Sequence, residues 1–101
     1  MSKVNQLQLL QQNMQTIVAQ KQQIEEQLSE LNSATTELKT TEKAYKIVGK
    51  IMIAASPEDM SKELQEKKEF AEVRLKNFTK QEEQMKQDME KMQKEVMEEL
   101  K

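Results

Sequence analysis

Apolar residues recur along the first 40 positions of the chain in steps that alternate between three and four. They form two rows, in which eight of the ten positions are apolar. This pattern predicts an amphipathic helix that pairs with another helix in a coiled coil. We expect the helix over residues 4–39, ending near Thr40 and Thr41, where β-branched residues begin. The first row is Leu7, Met14, Lys21, Leu28 and Thr35, and the second row is Leu10, Ile17, Ile24, Leu31 and Leu38.

A second long helix is predicted over residues 57–100, where the same alternation returns. Ser56 is placed to cap this helix, and Pro57 suits its first position. Glu58 and Asp59 follow, and acidic residues are favourable near the positive end of the helix dipole. The two rows, which Lys68 and Glu82 interrupt, are Leu64, Ala71, Phe78, Met85 and Met92 in one, and Leu75, Glu82, Met89 and Val96 in the other.

The segment between the helices, residues 44–55, has a different character, because Tyr, Val and three Ile favour strand. Gly49 is the only Gly of the chain, and Gly49-Lys50 fits a two-residue hairpin turn with Gly at the first central position. We expect strands over 45–48 and 51–54. The alternative is an uninterrupted helix, which a central Gly disfavours. We also expect Tyr45, Ile47, Ile51 and Ile53 to share one side of the ribbon, with Val48, Met52 and Ala54 on the other.

A helix, a hairpin and a helix in this order send the second helix back along the first. In such an antiparallel pair the numbers of facing residues keep a constant sum, and the apolar rows permit sums of 99 or 106. We prefer 99, because it centres the fold between Gly49 and Lys50; it places Lys21 opposite Phe78. The predicted fold class is therefore mainly α, an antiparallel two-helix coiled coil connected by a β-hairpin.

The hairpin carries apolar residues on both faces, and an isolated two-stranded ribbon is only marginally stable in water. Its edges also present unpaired backbone groups that attract further strands. One coiled coil cannot cover all of these side chains. The sequence therefore predicts oligomerisation, in which several copies or related chains join their hairpins into a shared sheet or barrel.

A second excess of apolar residues is expected where the two chain ends meet. Val4, Leu9, Met97 and Leu100 lie outside the rows, so the partner helix does not fully cover them. Methionine suits surfaces that meet many shapes. The alternatives are that the row methionines here only fill the seam and that the ends fray without a role.

Composition limits the chemistry that this chain can perform. It has 101 residues, of which 34% are charged and 36% apolar, and it contains no Cys and no His. We therefore expect no thiolate or imidazole chemistry, no metal site, no cofactor and no catalytic residues. A net charge of −2 argues against nucleic acid as a partner, and no apolar run approaches the length that spans a membrane. The expected location is the cytoplasm.

The sequence resembles a β-type prefoldin subunit over almost its whole length. The most specific part is the Tyr-Lys-x-x-Gly hairpin between two coiled-coil helices of this size, and one hairpin rather than two is typical of the β-type. The segments that carry the resemblance are Gln20-Lys21-Gln22-Gln23, residues 44–50, residues 62–67, Val73-Arg74-Leu75 and residues 80–83.

This resemblance implies a single prefoldin domain over residues 1–101 and a chaperone function without ATP. Prefoldins are hexamers of two α-type and four β-type subunits, whose hairpins form a double β-barrel platform. The tips of their coiled coils hold non-native polypeptides and deliver them to a group II chaperonin. Onto this chain, the resemblance carries a platform hairpin of Tyr45, Ile47, Val48, Gly49, Ile51, Met52 and Ile53. It also carries a client-binding tip of Val4, Leu7, Leu10, Met92, Val96, Met97 and Leu100.

A structural coiled-coil scaffold or tether that self-associates without binding clients is the alternative function. The position of the apolar excess discriminates between the two. An excess at the tip favours a chaperone, and an excess along the outer helix faces favours a scaffold. Phe70 and Val73 lie outside the rows of the second helix, so association through the sides of the helices stays open.

Overall fold

The computed structural model describes residues 2–100, in which two long helices flank an antiparallel β-hairpin. Met1 and Lys101, the ends of the predicted domain, lie outside the described residues. The predicted fold class is confirmed, and the segment at 44–55 is a hairpin instead of a continuation of the helix. The elements are α1 (Lys3–Leu38), β1 (Ala44–Val48), β2 (Ile51–Ala55) and α2 (Pro57–Glu99).

Side-chain oxygens close both ends of α1. The Ser2 hydroxyl accepts a hydrogen bond from the Asn5 backbone N–H at 3.2 Å, which caps the first turn. At the other end the hydroxyls of Thr40 and Thr41 both donate to the carbonyl of Glu37, at 3.3 and 2.9 Å. These bonds satisfy backbone groups that have no partner within the helix. They explain why α1 ends just before the two threonines.

The start of α2 has the cap that the sequence predicts. The Ser56 hydroxyl accepts a hydrogen bond from the Asp59 backbone N–H at 3.1 Å. Pro57, which lacks an N–H, occupies the first helical position, where a backbone donor would have no partner within the helix. The residues at this boundary therefore determine how α2 begins after β2.

Gly49 has φ of +62°, the left-handed region that the predicted turn requires. Within residues 2–100 it is the only residue with positive φ, so Lys50 has negative φ. This combination matches a turn with Gly at the first central position and distinguishes it from the turn in which both central residues are left-handed. The strands pair Ala44 with Ala55, Tyr45 with Ala54, Lys46 with Ile53, Ile47 with Met52 and Val48 with Ile51.

The predicted division of the hairpin into two faces is wrong. Directly opposed residues of an antiparallel pair share a face, and here Tyr45 and Ile47 oppose Ala54 and Met52. A two-residue turn makes the numbers of opposed residues add to an odd total, so odd positions of β1 share a face with even positions of β2. One face therefore carries Tyr45, Ile47, Met52 and Ala54, and the other carries Lys46, Val48, Ile51 and Ile53.

The apolar core is narrow, in keeping with the apolar content of 36%. Among the described residues the buried apolar side chains are Ile17, Ile24 and Ala71, which all belong to the predicted rows. The described chain divides into two compact units. We call them the terminal unit, with residues up to Gln23 and from Leu75 onward, and the hairpin unit, with residues Ile24–Arg74.

In the terminal unit the start of α1 lies beside the end of α2. The Lys3 ammonium pairs with Glu95 at 3.8 Å and with Glu99 at 3.2 Å. These two acids flank Val96, the residue that faces Lys3 when the sum is 99. The residue numbers of the two pairs add to 98 and 102, which lie within one helical turn of the preferred sum of 99.

In the hairpin unit the end of α1 lies beside the start of α2. Leu38 lines a groove together with Pro57, Ser61 and Lys62 of α2. The paired residue numbers of the hairpin itself add to 99, as for Ala44 with Ala55. The register that we preferred from the sequence therefore describes the hairpin as well.

Candidate functional site

The hairpin exposes every large apolar side chain that it contains. Ile47 is 70% exposed and Met52 is 66% exposed, and they oppose each other on one face. The remaining large apolar side chains of the hairpin are about half exposed or more: Tyr45, Val48, Ile51 and Ile53. Burying a large aliphatic side chain stabilises by roughly 1.5–3 kcal/mol. In a single subunit these side chains therefore stay largely in water, and burying them would add further stability.

Burial along β1 shows which face the helices partly cover. Ala44 and Lys46 are half-buried, whereas Tyr45 and Ile47 are exposed. The face that carries Tyr45, Ile47 and Met52 is therefore the more open one. The opposite face is only partly covered, because Ile51 is also exposed.

The edges of the hairpin are a second feature of this surface. Within the described residues the sheet has two strands, β1 and β2, which pair with each other. Each strand therefore bonds along one side and leaves the backbone groups of its other side without a strand partner. Such an edge is a template for a further strand from another chain.

An ion pair holds the hairpin against α2. Lys46 Nζ lies 2.8 Å from Glu63 Oε1, and Lys67 Nζ lies 3.9 Å from the same oxygen. The hydrogen bond from Lys46 holds the pKa of the Glu63 carboxyl below its ordinary value. Lys46 belongs to the partly covered face of β1, so this contact lies on the side of the hairpin that α2 partly covers.

The residues predicted for the client-binding tip divide into two groups in the terminal unit. Val4, Met97 and Leu100 are exposed, and Leu100 is 76% exposed. The others are half-buried between α1 and α2: Leu7, Leu10, Met92 and Val96. The half-buried group packs the seam, so the apolar surface that this end offers to a partner comes mainly from the exposed group.

The ion pairs of Lys3 join the two helix ends that carry this surface. The hydrogen bond from Lys3 to Glu99 raises the pKa of the Lys3 ammonium, and the charge of Glu95 adds to this. Lys3 is half-buried and lies next to Val4 in sequence. The contact therefore lies between the first turn of α1 and the last turns of α2, where Met97 and Leu100 also lie.

The list of predicted site residues leaves out two features of the structure. Leu9 is exposed beside the predicted tip residues, and its position outside the rows was the available signal. The Lys46–Glu63 pair had no such signal, because its members lie in different elements and outside any helical spacing.

The whole chain, residues 1–101, matches the sequence family described as "Prefoldin subunit". It is 40% identical over 87 residues to the prefoldin subunit beta of Archaeoglobus fulgidus, covering 83% of this chain and 75% of that protein. It is 34% identical over 102 residues to the prefoldin subunit beta of Methanospirillum hungatei, covering 98% of this chain and 85% of that protein. The chain belongs to the prefoldin family as a β-type subunit.

A solved structure agrees with this assignment. The crystal structure of the prefoldin beta subunit from Thermococcus strain KS-1 superimposes with a TM-score of 0.90 at 28% identity. The superposition covers 98% of this chain and 90% of that chain. Prefoldins are chaperone subunits, so the hairpin and the tip described above acquire a functional context. Neither helix in residues 2–100 has an apolar stretch that could cross a membrane.

Proposed function

We propose that this chain is one subunit of an ATP-independent holdase chaperone, and that it binds unfolded polypeptides at its coiled-coil tip. In this proposal it assembles with α-type prefoldin subunits and further β-type copies into a cytoplasmic hexamer of two α-type and four β-type chains. The complex delivers its clients to a group II chaperonin. Residues 1–101 act as one prefoldin domain.

Assembly is assigned to the hairpin. A barrel of neighbouring hairpins would pair the open strand edges by hydrogen bonds. It would also bury exposed large apolar side chains, which both faces of the hairpin carry. The residues assigned to this platform interface are Tyr45, Ile47, Val48, Gly49, Ile51, Met52 and Ile53.

Client binding is assigned to the tip, and the exposed apolar group there is the observation that carries this assignment. Val4, Leu9, Met97 and Leu100 present flexible aliphatic surface to solvent at the ends of both helices. Such contacts are weak and non-directional, as the capture of many different unfolded chains requires. Leu7, Leu10, Met92 and Val96 contribute the half-buried floor of this surface. Several arms on one platform would then add avidity.

The experiment is a thermal aggregation assay with an unrelated enzyme as client, the purified complex and no ATP. The variant Met97→Ser with Leu100→Ser removes exposed apolar surface without touching the buried seam. We expect it to bind client about tenfold more weakly, because about 1.4 kcal/mol of apolar contact is lost. The helical content should not change.

The matched control is Phe70→Ser with Val73→Ser, which removes two equally exposed apolar side chains from the outer face of α2. This control should protect the client as well as the original complex. The proposal fails if the tip variant protects as well as the control does, or if the original complex leaves aggregation unchanged.

A self-associating scaffold is the second candidate, because one observation favours it. Phe70 and Val73 are 67% and 59% exposed in the hairpin unit, well away from the predicted tip residues in sequence. Phe70 lines an open groove with Gln27, Lys67 and Arg74. If the Phe70→Ser, Val73→Ser variant changes the mass of the native particle and the tip variant has no effect on clients, this second function replaces the first.

A further inference from the structure

Two oppositely charged side chains meet inside the apolar seam of the terminal unit. Lys21 of α1 and Glu82 of α2 approach to 3.4 Å between Nζ and Oε1, with side chains 22% and 15% exposed. Lys86 Nζ lies 3.5 Å from the same oxygen of Glu82. The sequence register placed Lys21 opposite Phe78, and in the structure its long side chain extends one turn further along α2.

Lys21 lies in the best-packed part of α1. Ile17 and Ile24 flank it by about one turn on either side, and they are the two buried apolar residues of this helix within the described chain. An apolar residue at position 21 would continue the row of Leu7, Met14 and Leu28 without interruption. A charged group in such a position needs a partner of opposite charge, because it is partly removed from water.

The apolar rows of α1 could also pair with the same rows of a second copy. Two identical parallel helices place each row residue opposite its own copy. A parallel α1–α1 pair would bring Lys21 against Lys21, and a parallel α2–α2 pair would bring Glu82 against Glu82. Only pairing between α1 and α2 brings the opposite charges together.

We propose that Lys21 and Glu82 determine the partner choice of the helices, by favouring α1–α2 pairing and opposing α1–α1 pairing. Charged or polar groups at single seam positions select partners in coiled coils in this way, at some expense in stability. This role would matter in the proposed assembly, on which this point rests, because joined hairpins would bring several α1 helices close together.

A cysteine reporter tests the choice of partner in the full chain, which contains no native Cys. Met14→Cys places a thiol in the first row of α1, one heptad before Lys21, where a parallel α1–α1 pair would bring two thiols within disulfide range. The protein is unfolded in urea, refolded by dilution, oxidised mildly and analysed on a non-reducing gel. Ala19→Cys, at an exposed position outside the rows, is the control for unspecific cross-linking.

The decisive variant combines Met14→Cys with Lys21→Leu and Glu82→Leu. We expect its disulfide-linked dimer to increase several-fold over Met14→Cys alone, with no increase for the Ala19→Cys control. Equal dimer yields with and without the two leucines would overturn the proposal.

Exchanging the charges of Lys21 and Glu82 tests whether the two residues select the partner helix or only pack in the seam. Lys21→Glu alone brings two acids together and should lower the melting temperature by about 5 °C. Adding Glu82→Lys should restore the melting temperature and keep cross-linking low. If Lys21→Glu behaves like Lys21→Gln, or if the exchange restores neither property, the charges do not select the partner.

Discussion

Lys46 of β1 and Glu63 of α2 lie 2.8 Å apart between Nζ and Oε1, although they are far apart in sequence. The contact connects the hairpin, which we propose as the assembly interface, to α2. It lies within the hairpin unit.

The Lys46–Glu63 contact should weaken in acid. The hydrogen bond from Lys46 holds the pKa of Glu63 below its ordinary value of 4.5, so the ionised form is favoured in the folded chain. Its contribution is complete above pH 4.5 and is lost as the pH falls through the lowered pKa. Tyr45 is the only tyrosine and the chain has no Trp, so its fluorescence reports on the hairpin. We expect an acid transition in this signal.

Glu63→Gln should abolish that transition, because it removes the titrating carboxyl. Glu66→Gln changes an exposed acid one turn away and serves as the control, which should leave the transition in place. A transition that persists unchanged in Glu63→Gln would show that another group titrates.

Gly49→Val should prevent assembly while the helices stay folded. Its φ of +62° disfavours L-residues by about 1–2 kcal/mol, and a β-branched residue suffers most. Beyond the neighbouring residues an added Cβ would meet no atom within 4 Å, so the penalty comes from the local backbone and not from a clash with the rest of the fold. Gly49→Asn, which tolerates this region better, should assemble more fully. Sedimentation measures assembly, and circular dichroism measures the helical content. Normal assembly of the Val variant would contradict the prediction.

Ile51→Lys should release monomers from the native particle. Ile51 is 64% exposed in the subunit, so the new charge is tolerated before assembly but would be buried afterwards. Val73→Lys introduces the same charge at a similarly exposed residue of the hairpin unit and should leave the particle mass unchanged. Intact particles of Ile51→Lys in native mass measurements would mean that the helices hold the assembly together.

Ala71→Leu should destabilise the hairpin unit. Ala71 is the most buried residue of the described chain, at 2% exposure, so a larger side chain must push the helices apart. We expect a loss of about 1–3 kcal/mol in the free energy of unfolding, measured by urea titration. Ala19→Leu, at an exposed position of α1, should change it by less than about 0.5 kcal/mol. Equal effects of the two changes would argue against a tight seam at Ala71.

The sequence predicted those features that depend on local chemistry or on a repeat. The rows locate Ile17, Ile24 and Ala71 in the core, Ser56 caps α2, and Gly49 adopts the turn conformation expected from its position. Each follows from residue type and spacing alone, because helices and tight turns satisfy their hydrogen bonds locally.

The remaining features depend on how the elements lie against one another. Tyr45 was grouped with Ile51 because alternation was counted along the chain, whereas pairing across a two-residue turn groups it with Met52. The contacts of Lys46 with Glu63 and of Lys3 with Glu99 depend on how the elements pack against each other. No periodicity in the sequence indicates them. The client-binding role of Leu7 and Val96 stays a prediction, since both also pack the seam.

The open strand edges also impose a demand on the cell that makes this chain. An orphan copy, synthesised without its partners, offers adhesive backbone to any extended segment it meets, including that of another orphan. In the proposed assembly, balanced production of the different subunits or rapid proteolysis of the surplus would therefore be needed to keep such orphan copies scarce.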